Sequence, residues 1–322
     1  MHMQSRLFKR SPIRARRARL IGPILLALIL TMPGIASAKQ FSEWGPAVLE
    51  TGINSPQADG CPIESPNGKN LYIASNRPGA VGGVGDLNDI WVAHRANRNA
   101  PWSTPINVGA PVNSAAADFC PTPVHDKLGA GNWLLFVSSR GGPGTCGAGD
   151  MYLAQSLRGR TWSEPVHLGC DAAGTGPNFS GGEFGPSLVE TDEGTFLYFS
   201  STGPDPTHNQ DIYVSRMNAN GTFAPAEPVV ELNTDADDFM PNVSGNGKEI
   251  VFNSNRAGGF GLQDVYTASR RNPGDAWSNV VNVGPNVNTA ASETRSSLSG
   301  DGTRLHFGRN GDIYVSTRTR VD

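Results

Sequence analysis

Apolar and polar positions alternate in short runs along this chain. LYIAS (71–75), LLFVS (134–138), LYFSS (197–201), IVFNS (250–254) and LHFGR (305–309) are the clearest examples. Turn-forming segments such as SPNG (65–68), SGNG (244–247) and SGDG (299–302) stand just ahead of three of them. Period-two alternation bounded by Gly, Asn and Asp turns predicts short strands. No stretch carries a long amphipathic helical period, and 39 glycines and 24 prolines reinforce an all-β reading.

The strands recur in one order of features. Five units open on an acid, at Asp59, Asp118, Glu183, Asp238 and Glu293, spaced 59, 65, 55 and 55 residues apart. Each continues through the alternating second strand into a third such as DIWVAH (89–94) or DVYTAS (264–269). Four units add a fourth strand after Trp102, Trp162, Phe223 or Trp277, and four strands per repeat is the blade of a β-propeller. The fifth unit stops after its third strand, but FSEWGPAVLETGIN (41–54) matches APWSTPINVGAPVN (100–113), with Trp44 in the place of Trp102. The expected fold is an all-β, five-bladed propeller of four-stranded antiparallel blades over residues 39–322, closed by the N-terminal strand completing the last blade. Closure removes the open strand edges that invite aggregation. The once-per-blade aromatic is assigned to packing between blades.

Residues 1–38 read as a secretory signal: seven Lys and Arg precede the apolar run LIGPILLALILTM (20–32), and ASA ends at Ala38. Gly22 and Pro23 shorten the apolar run below a comfortable membrane span. The whole chain carries 26 basic and 29 acidic residues; without the signal's seven basic residues the balance is 19 against 29, or −10. That excess of acid excludes the basic footprint of a nucleic-acid binder. The expected location is periplasmic or secreted, as a monomer with no membrane span after cleavage. Cys61, Cys120, Cys146 and Cys170 form an even set suited to disulfides in an exported protein. Strand direction brings Cys146 and Cys170 to one face of one blade, which favours that pair. Cys61 and Cys120 hold equivalent positions on adjacent inner strands and form the second candidate.

SPNGKNLYIASNRPG (65–79) with NDIWVAHR (88–95), and SGNGKEIVFNSNRAGG (244–259) with QDVYTASR (263–270), resemble the WD40-like repeat of the TolB-type propeller. The resemblance covers nearly all of the chain after the signal. It implies a periplasmic protein that docks partners on its propeller.

Three recurrent polar positions share one loop face: the opening acids, Arg77, Arg140, Arg256 and Arg309 at the ends of second strands, and Asp89, Asp150, Asp211, Asp264 and Asp312 at the starts of third strands. A ring of Asp59, Asp118, Asp238 and Glu293 against the four arginines is expected to be structural, because unpaired charges near a channel wall are costly. Departures from the repeat are the functional candidates. Thr202 stands where the third unit should have its arginine, which leaves Glu183 without that partner. His208 lies in the same loop, and Asp235 and Asp237 have no acidic counterparts in other units. Glu183, His208, Asp235 and Asp237 therefore form a candidate binding group, and Asp235, Asp237 and Asp238 a candidate calcium site. No other cofactor is expected. The leading expectation is a non-catalytic exported scaffold that binds a protein, peptide or envelope glycan. The alternative is a five-bladed glycoside hydrolase or lyase, similar to arabinanases, using Glu183 with Asp238 or Asp59 as acid and base.

Overall fold

Twenty strands follow one another with no helix among the described residues. The computed structural model describes residues 41–81, 88–125, 132–157, 161–205 and 207–321, so the expected signal, residues 1–38, lies outside it. The first strand is β1 (Val48–Leu49). Blade 1 comprises β2 (Asp59–Glu64), β3 (Asn70–Ser75), β4 (Asp89–His94) and β5 (Ile106–Asn107). Blade 2 comprises β6 (Asp118–His125), β7 (Asn132–Ser138), β8 (Asp150–Gln155) and β9 (Val166–His167). Blade 3 holds β10 (Glu183–Thr191), β11 (Gly194–Ser201), β12 (Asp211–Arg216) and β13 (Glu227–Pro228). Blade 4 holds β14 (Asp238–Val243), β15 (Glu249–Ser254), β16 (Asp264–Ser269) and β17 (Ser278–Asn282). Blade 5 takes β18 (Glu293–Leu298), β19 (Arg304–Arg309) and β20 (Asp312–Thr317) from one end of the sequence and β1 from the other. Val48 faces Val315 and Leu49 faces Tyr314, so the N-terminal strand closes the last of five blades.

The middle of each blade repeats one apolar row. Ile73, Phe136, Phe199, Phe252 and Phe307 are fully buried at the same place in the second strand. Their cross-strand partners are Trp91, Tyr152, Tyr213, Tyr266 and Tyr314. Directly opposed aromatic pairs are strong sheet contacts, and the four Phe–Tyr pairs stack with ring centroids about 6 Å apart. Trp44, Trp102, Phe223 and Trp277 are buried between blades, and Trp162 is half-buried. Arg95, Arg270 and Arg318 lie over Trp102, Trp277 and Trp44 at 3.9, 4.0 and 4.2 Å.

An asparagine latch ties the connection leaving each blade back onto the third strand of that blade. Asn54, Asn113, Asn178, Asn233 and Asn288 accept the backbone N–H of Ile313, Ile90, Met151, Ile212 and Val265 at 2.7–2.9 Å. These residues lie in connections that read only as loops in the sequence.

Every inner strand bulges at its third residue. Ladder pairing skips after Gly60, Phe119, Phe184, Phe239 and Thr294. The residues that follow, Cys61, Cys120, Gly185, Met240 and Arg295, all have positive φ, between 47° and 58°. Proline follows the first four. It cannot donate to a ladder, so a bulge is where it fits. The bulges turn these five residues toward the axis, and there they fill it. The Arg295 side chain is buried, with Nη1 donating to Gly185 O and Pro241 O and Nη2 to Pro186 O and Thr122 Oγ1. A Cβ added to Gly185 would sit 2.5 Å from Met240 Cα, so only glycine fits beside that neighbour.

Candidate active site

Four of the five opening acids are fixed in one arrangement. Arg77 meets Asp59 at 2.5 Å, Arg140 meets Asp118 at 2.6 Å, Arg256 meets Asp238 at 2.5 Å and Arg309 meets Glu293 at 2.7 Å. Each acid also accepts the N–H and the hydroxyl of the residue four positions earlier, Ser55, Ser114, Thr234 or Thr289. Each arginine lies over an aromatic ring of its own blade, 4.6–5.4 Å from the centroid. Acid, arginine, hydroxyl and ring form one buried unit, and its carboxylate is committed to the scaffold.

Blade 3 breaks that unit at two positions. Gly203 stands in the arginine's place, two residues after the serine that faces the acid, which corrects the expected Thr202 by one position, and Phe179 replaces the hydroxyl residue. Phe179 takes the arginine's place on the rings, 4.8 Å from Tyr213 and 6.2 Å from Phe199. Glu183 is fully buried and receives only the Phe179 N–H at 3.0 Å and the Ser201 hydroxyl at 3.2 Å, both on Oε1. Burial, with a smaller push from the Asp150 charge, raises its carboxyl well above the ordinary carboxylate range despite those two bonds. Sequence reasoning found Glu183 through the missing arginine but missed Phe179, whose signal is its place four residues ahead of the acid.

Unsatisfied polar atoms gather around this break. Glu183 Oε2, Thr202 Oγ1, Gln210 Oε1 and Asp211 Oδ1 are buried without a hydrogen-bond partner. Glu183, Ser201 and Asp211 are directly opposed across β10, β11 and β12. Other third-strand acids are held by loop amides: Asp150 by Cys146 and Gly147, Asp264 by Phe260 and Gly261. Asp211 instead faces exposed His208 at 3.8 Å, and burial raises its carboxyl although the His208 charge opposes the shift.

The other candidates do not converge on Glu183. Asp237 accepts the Gln210 N–H at 2.9 Å and the Asn255 side-chain amide at 2.9 Å, which ties the loops of blades 3 and 4 together. Asp235 is exposed, and its backbone carbonyl accepts from Asn209. With Asp238 on Arg256, the three aspartates of residues 235–238 have three separate neighbours. Asp59 and Asp238, the expected partners of Glu183, each pair with an arginine of their own blade.

Cys146 and Cys170 are joined in a disulfide, with Cα atoms 5.7 Å apart. His167, which sequence reasoning passed over, stands beside it with Nε2 3.0 Å from Asp150 Oδ2. Its Nδ1 accepts the Gly169 N–H at 3.1 Å, so the ring proton sits on Nε2 and faces Asp150. These groups place metal-ligating atom types within 4.8 Å of one another, but the sulfurs are bonded to each other and the imidazole nitrogen is protonated. The corner is structural.

No family model matches the chain, and no curated protein matches it. Solved structures do. The catalytic domain of a Coprinopsis cinerea GH62 α-L-arabinofuranosidase aligns with TM-score 0.55 at 11% identity, over 87% of this chain and 98% of that one. An α-L-arabinofuranosidase from Lactobacillus brevis gives 0.54 at 12%, over 85% and 95%. A thermostable family-43 glycoside hydrolase gives 0.53 at 13%, over 85% and 93%. The likeness is one of fold. It corrects the expected kinship, because these neighbours are glycoside hydrolase propellers and not WD40-like or TolB-type ones. The expectation of a non-catalytic scaffold, drawn from complete repetition, the TolB resemblance and the lack of a convincing catalytic set, is overturned because these neighbours are glycoside hydrolases, and so is the leaning against an enzyme.

Proposed function

We propose that this chain is an exported glycoside hydrolase in which Glu183 is the proton donor. One observation carries the reading: the single opening acid without an arginine partner is fully buried, with Oε2 left without a hydrogen bond, and its carboxyl is raised. A glycosidase needs a carboxylic acid that stays protonated at working pH beside a second carboxyl that works as base or nucleophile. The second carboxyl we assign is Asp211, two strands away in the same row. Its backbone is roughly 10 Å from that of Glu183 at ordinary strand spacing. Ser201 stands between them in that row, with its hydroxyl on Glu183. Glu183 is fully buried in the conformation described, so substrate reaches it only when the loop carrying Phe179 moves aside. Arabinofuranosides are the first substrate class to try, because enzymes named for them share the propeller.

The test is hydrolysis of aryl α-L-arabinofuranosides, aryl β-xylosides, arabinan and xylan by the purified protein. We expect pentose release that Glu183→Gln lowers at least a hundredfold, the usual scale for a general acid, with the circular dichroism unchanged. Lack of turnover on every substrate, or full activity in Glu183→Gln, would refute the assignment.

A further inference from the structure

The inner strands are sewn to one another in turn. Between blades 2 and 3, Thr122 Oγ1 donates to Pro186 O at 2.5 Å. Between blades 3 and 4, the Val243 N–H donates to Ser187 Oγ at 3.0 Å. Between blades 4 and 5, the Leu298 N–H donates to Asn242 Oδ1 at 2.9 Å, and Ser297 Oγ closes blade 5 onto blade 1 through Pro62 O at 2.7 Å. At the seam between blades 1 and 2, two sulfurs meet. Cys61 Sγ and Cys120 Sγ are 2.6 Å apart, 59 residues distant in sequence. That is far inside ordinary non-bonded contact and about half an ångström beyond the roughly 2.05 Å of a sulfur–sulfur bond.

We propose that Cys61 and Cys120 are a disulfide-forming site, a covalent stitch at the propeller axis made by thiol–disulfide exchange with a disulfide-bearing oxidant. Three observations support it besides the distance. Both cysteines occupy the same bulge position with φ of 48° and 47°, so neighbouring blades present them to the axis alike. The Cys146–Cys170 bond marks a chain suited to an oxidising compartment. Cys120 is fully buried while Cys61 keeps part of its surface exposed, which gives the oxidant one sulfur to meet first.

The surroundings favour exchange. Burial works against charge on Cys120, but the Cys61 hydrogen bond and the Arg295 guanidinium outweigh it and hold that thiol below its ordinary range. The hydrogen bond to Cys120, with burial, pushes Cys61 up. Thiolate is the attacking form, and the lowered Cys120 thiol suits the second, bond-closing attack. Cys61, once its proton is released, attacks the oxidant's disulfide, forming a mixed disulfide and expelling one oxidant thiolate. Cys120 then attacks Cys61 Sγ and expels the second. The two protein thiols give up two electrons and two protons, and the oxidant's disulfide takes up both to become two thiols.

The test is peptide mapping of the full chain, made in an oxidising compartment and digested without reductant after alkylation in denaturant. We expect a linked pair of peptides carrying Cys61 and Cys120, no alkylated cysteine, and a mass four hydrogens below the fully reduced chain. Reduced protein titrated with oxidised glutathione should regain the same link. Cys61→Ser/Cys120→Ser should melt lower on the order of 5–10 °C, the usual effect of losing one long-range disulfide. Mapping needs no variant, so a variant that fails to fold leaves the answer intact. Alkylated Cys61 and Cys120 beside an intact Cys146–Cys170 bond, across the whole glutathione range, would overturn the proposal.

Discussion

Two substitutions turn a scaffold carboxylate into a chemically distinct one. In four blades an arginine, a hydroxyl and an amide hold the opening acid; in blade 3, Phe179 and Gly203 leave Glu183 the cheaper neutral form. A buried acid with a raised folded-state pKa binds its proton more tightly folded than unfolded. Its cost to stability is therefore absent below the unfolded value of about 4.3 and grows as pH rises toward the folded pKa. Glu183→Gln removes that cost. Its urea midpoint should match wild type near pH 4 and exceed it increasingly up to pH 7, at a slope no steeper than about 1.4 kcal/mol per pH unit. A constant offset across that range would show that Glu183 is ionised in the fold. The double variant Phe179→Ser/Gly203→Arg puts the hydroxyl and the arginine back at the positions they hold in the other blades. It should flatten the same pH dependence and abolish hydrolysis while keeping the carboxyl in place, a result that pH-resolved denaturation and a pentose-release assay would read together.

At the scale of the element, the blade was legible because its signals are local and repeated. Alternation, turn glycines, the opening acid and the aromatic before the fourth strand each recur with every unit, and the N-terminal fragment betrayed itself by matching a fourth strand. What stayed hidden depends on contacts between segments distant in sequence. Nothing in the composition of a loop says that Asn113 will reach back to Ile90, or that Phe179 will occupy the space of an arginine. The bulges were half visible, since CP, CP, GP and MP mark four of the five, but their effect on the axis needs the backbone turned through positive φ. The loop aspartates misled for the same reason: proximity in sequence does not reveal that Asp237 faces Gln210 while Asp238 faces Arg256. The closing element yields its own prediction. Trp44 is buried, lies under Arg318, and its carbonyl accepts from Asn286, so Trp44→Ala should destabilise by about 3–5 kcal/mol, as large core truncations do. Loss of its hold on β1 exposes the edge of β20, and size-exclusion chromatography should show association that wild type lacks. A loss below about 1 kcal/mol with no association would mean the ring stays shut without its clasp.

For the whole molecule, the filled axis decides where chemistry can occur. A propeller with an open channel can gather acids from all five blades around one ligand; here Arg295 crosses the axis and binds oxygens from blades 2, 3 and 4. The candidate site is therefore displaced from the axis into one blade, where the repeat is broken, and the axis is left with a mechanical and redox role. Arg295 serves both parts of that role, and replacing it separates them. Arg295→Met takes a donor from four acceptors, of which Pro186 O keeps the Thr122 hydroxyl, and each one left bare costs about 1–3 kcal/mol when buried, so stability should fall by roughly 3 kcal/mol even after some are rehydrated. It also removes the positive charge beside Cys61 and Cys120, and thiolate then forms less readily. With the chain reduced and still folded, thiol–disulfide exchange at pH 7 should slow roughly tenfold, and its pH profile should move upward. Arg295→Lys keeps a charge in the same place and should restore much of the exchange rate with little of the stability, because an ammonium cannot reproduce the planar fork. Equal exchange rates in wild type and Arg295→Met, measured by stopped-flow with an aromatic disulfide, would leave the guanidinium as a plug alone.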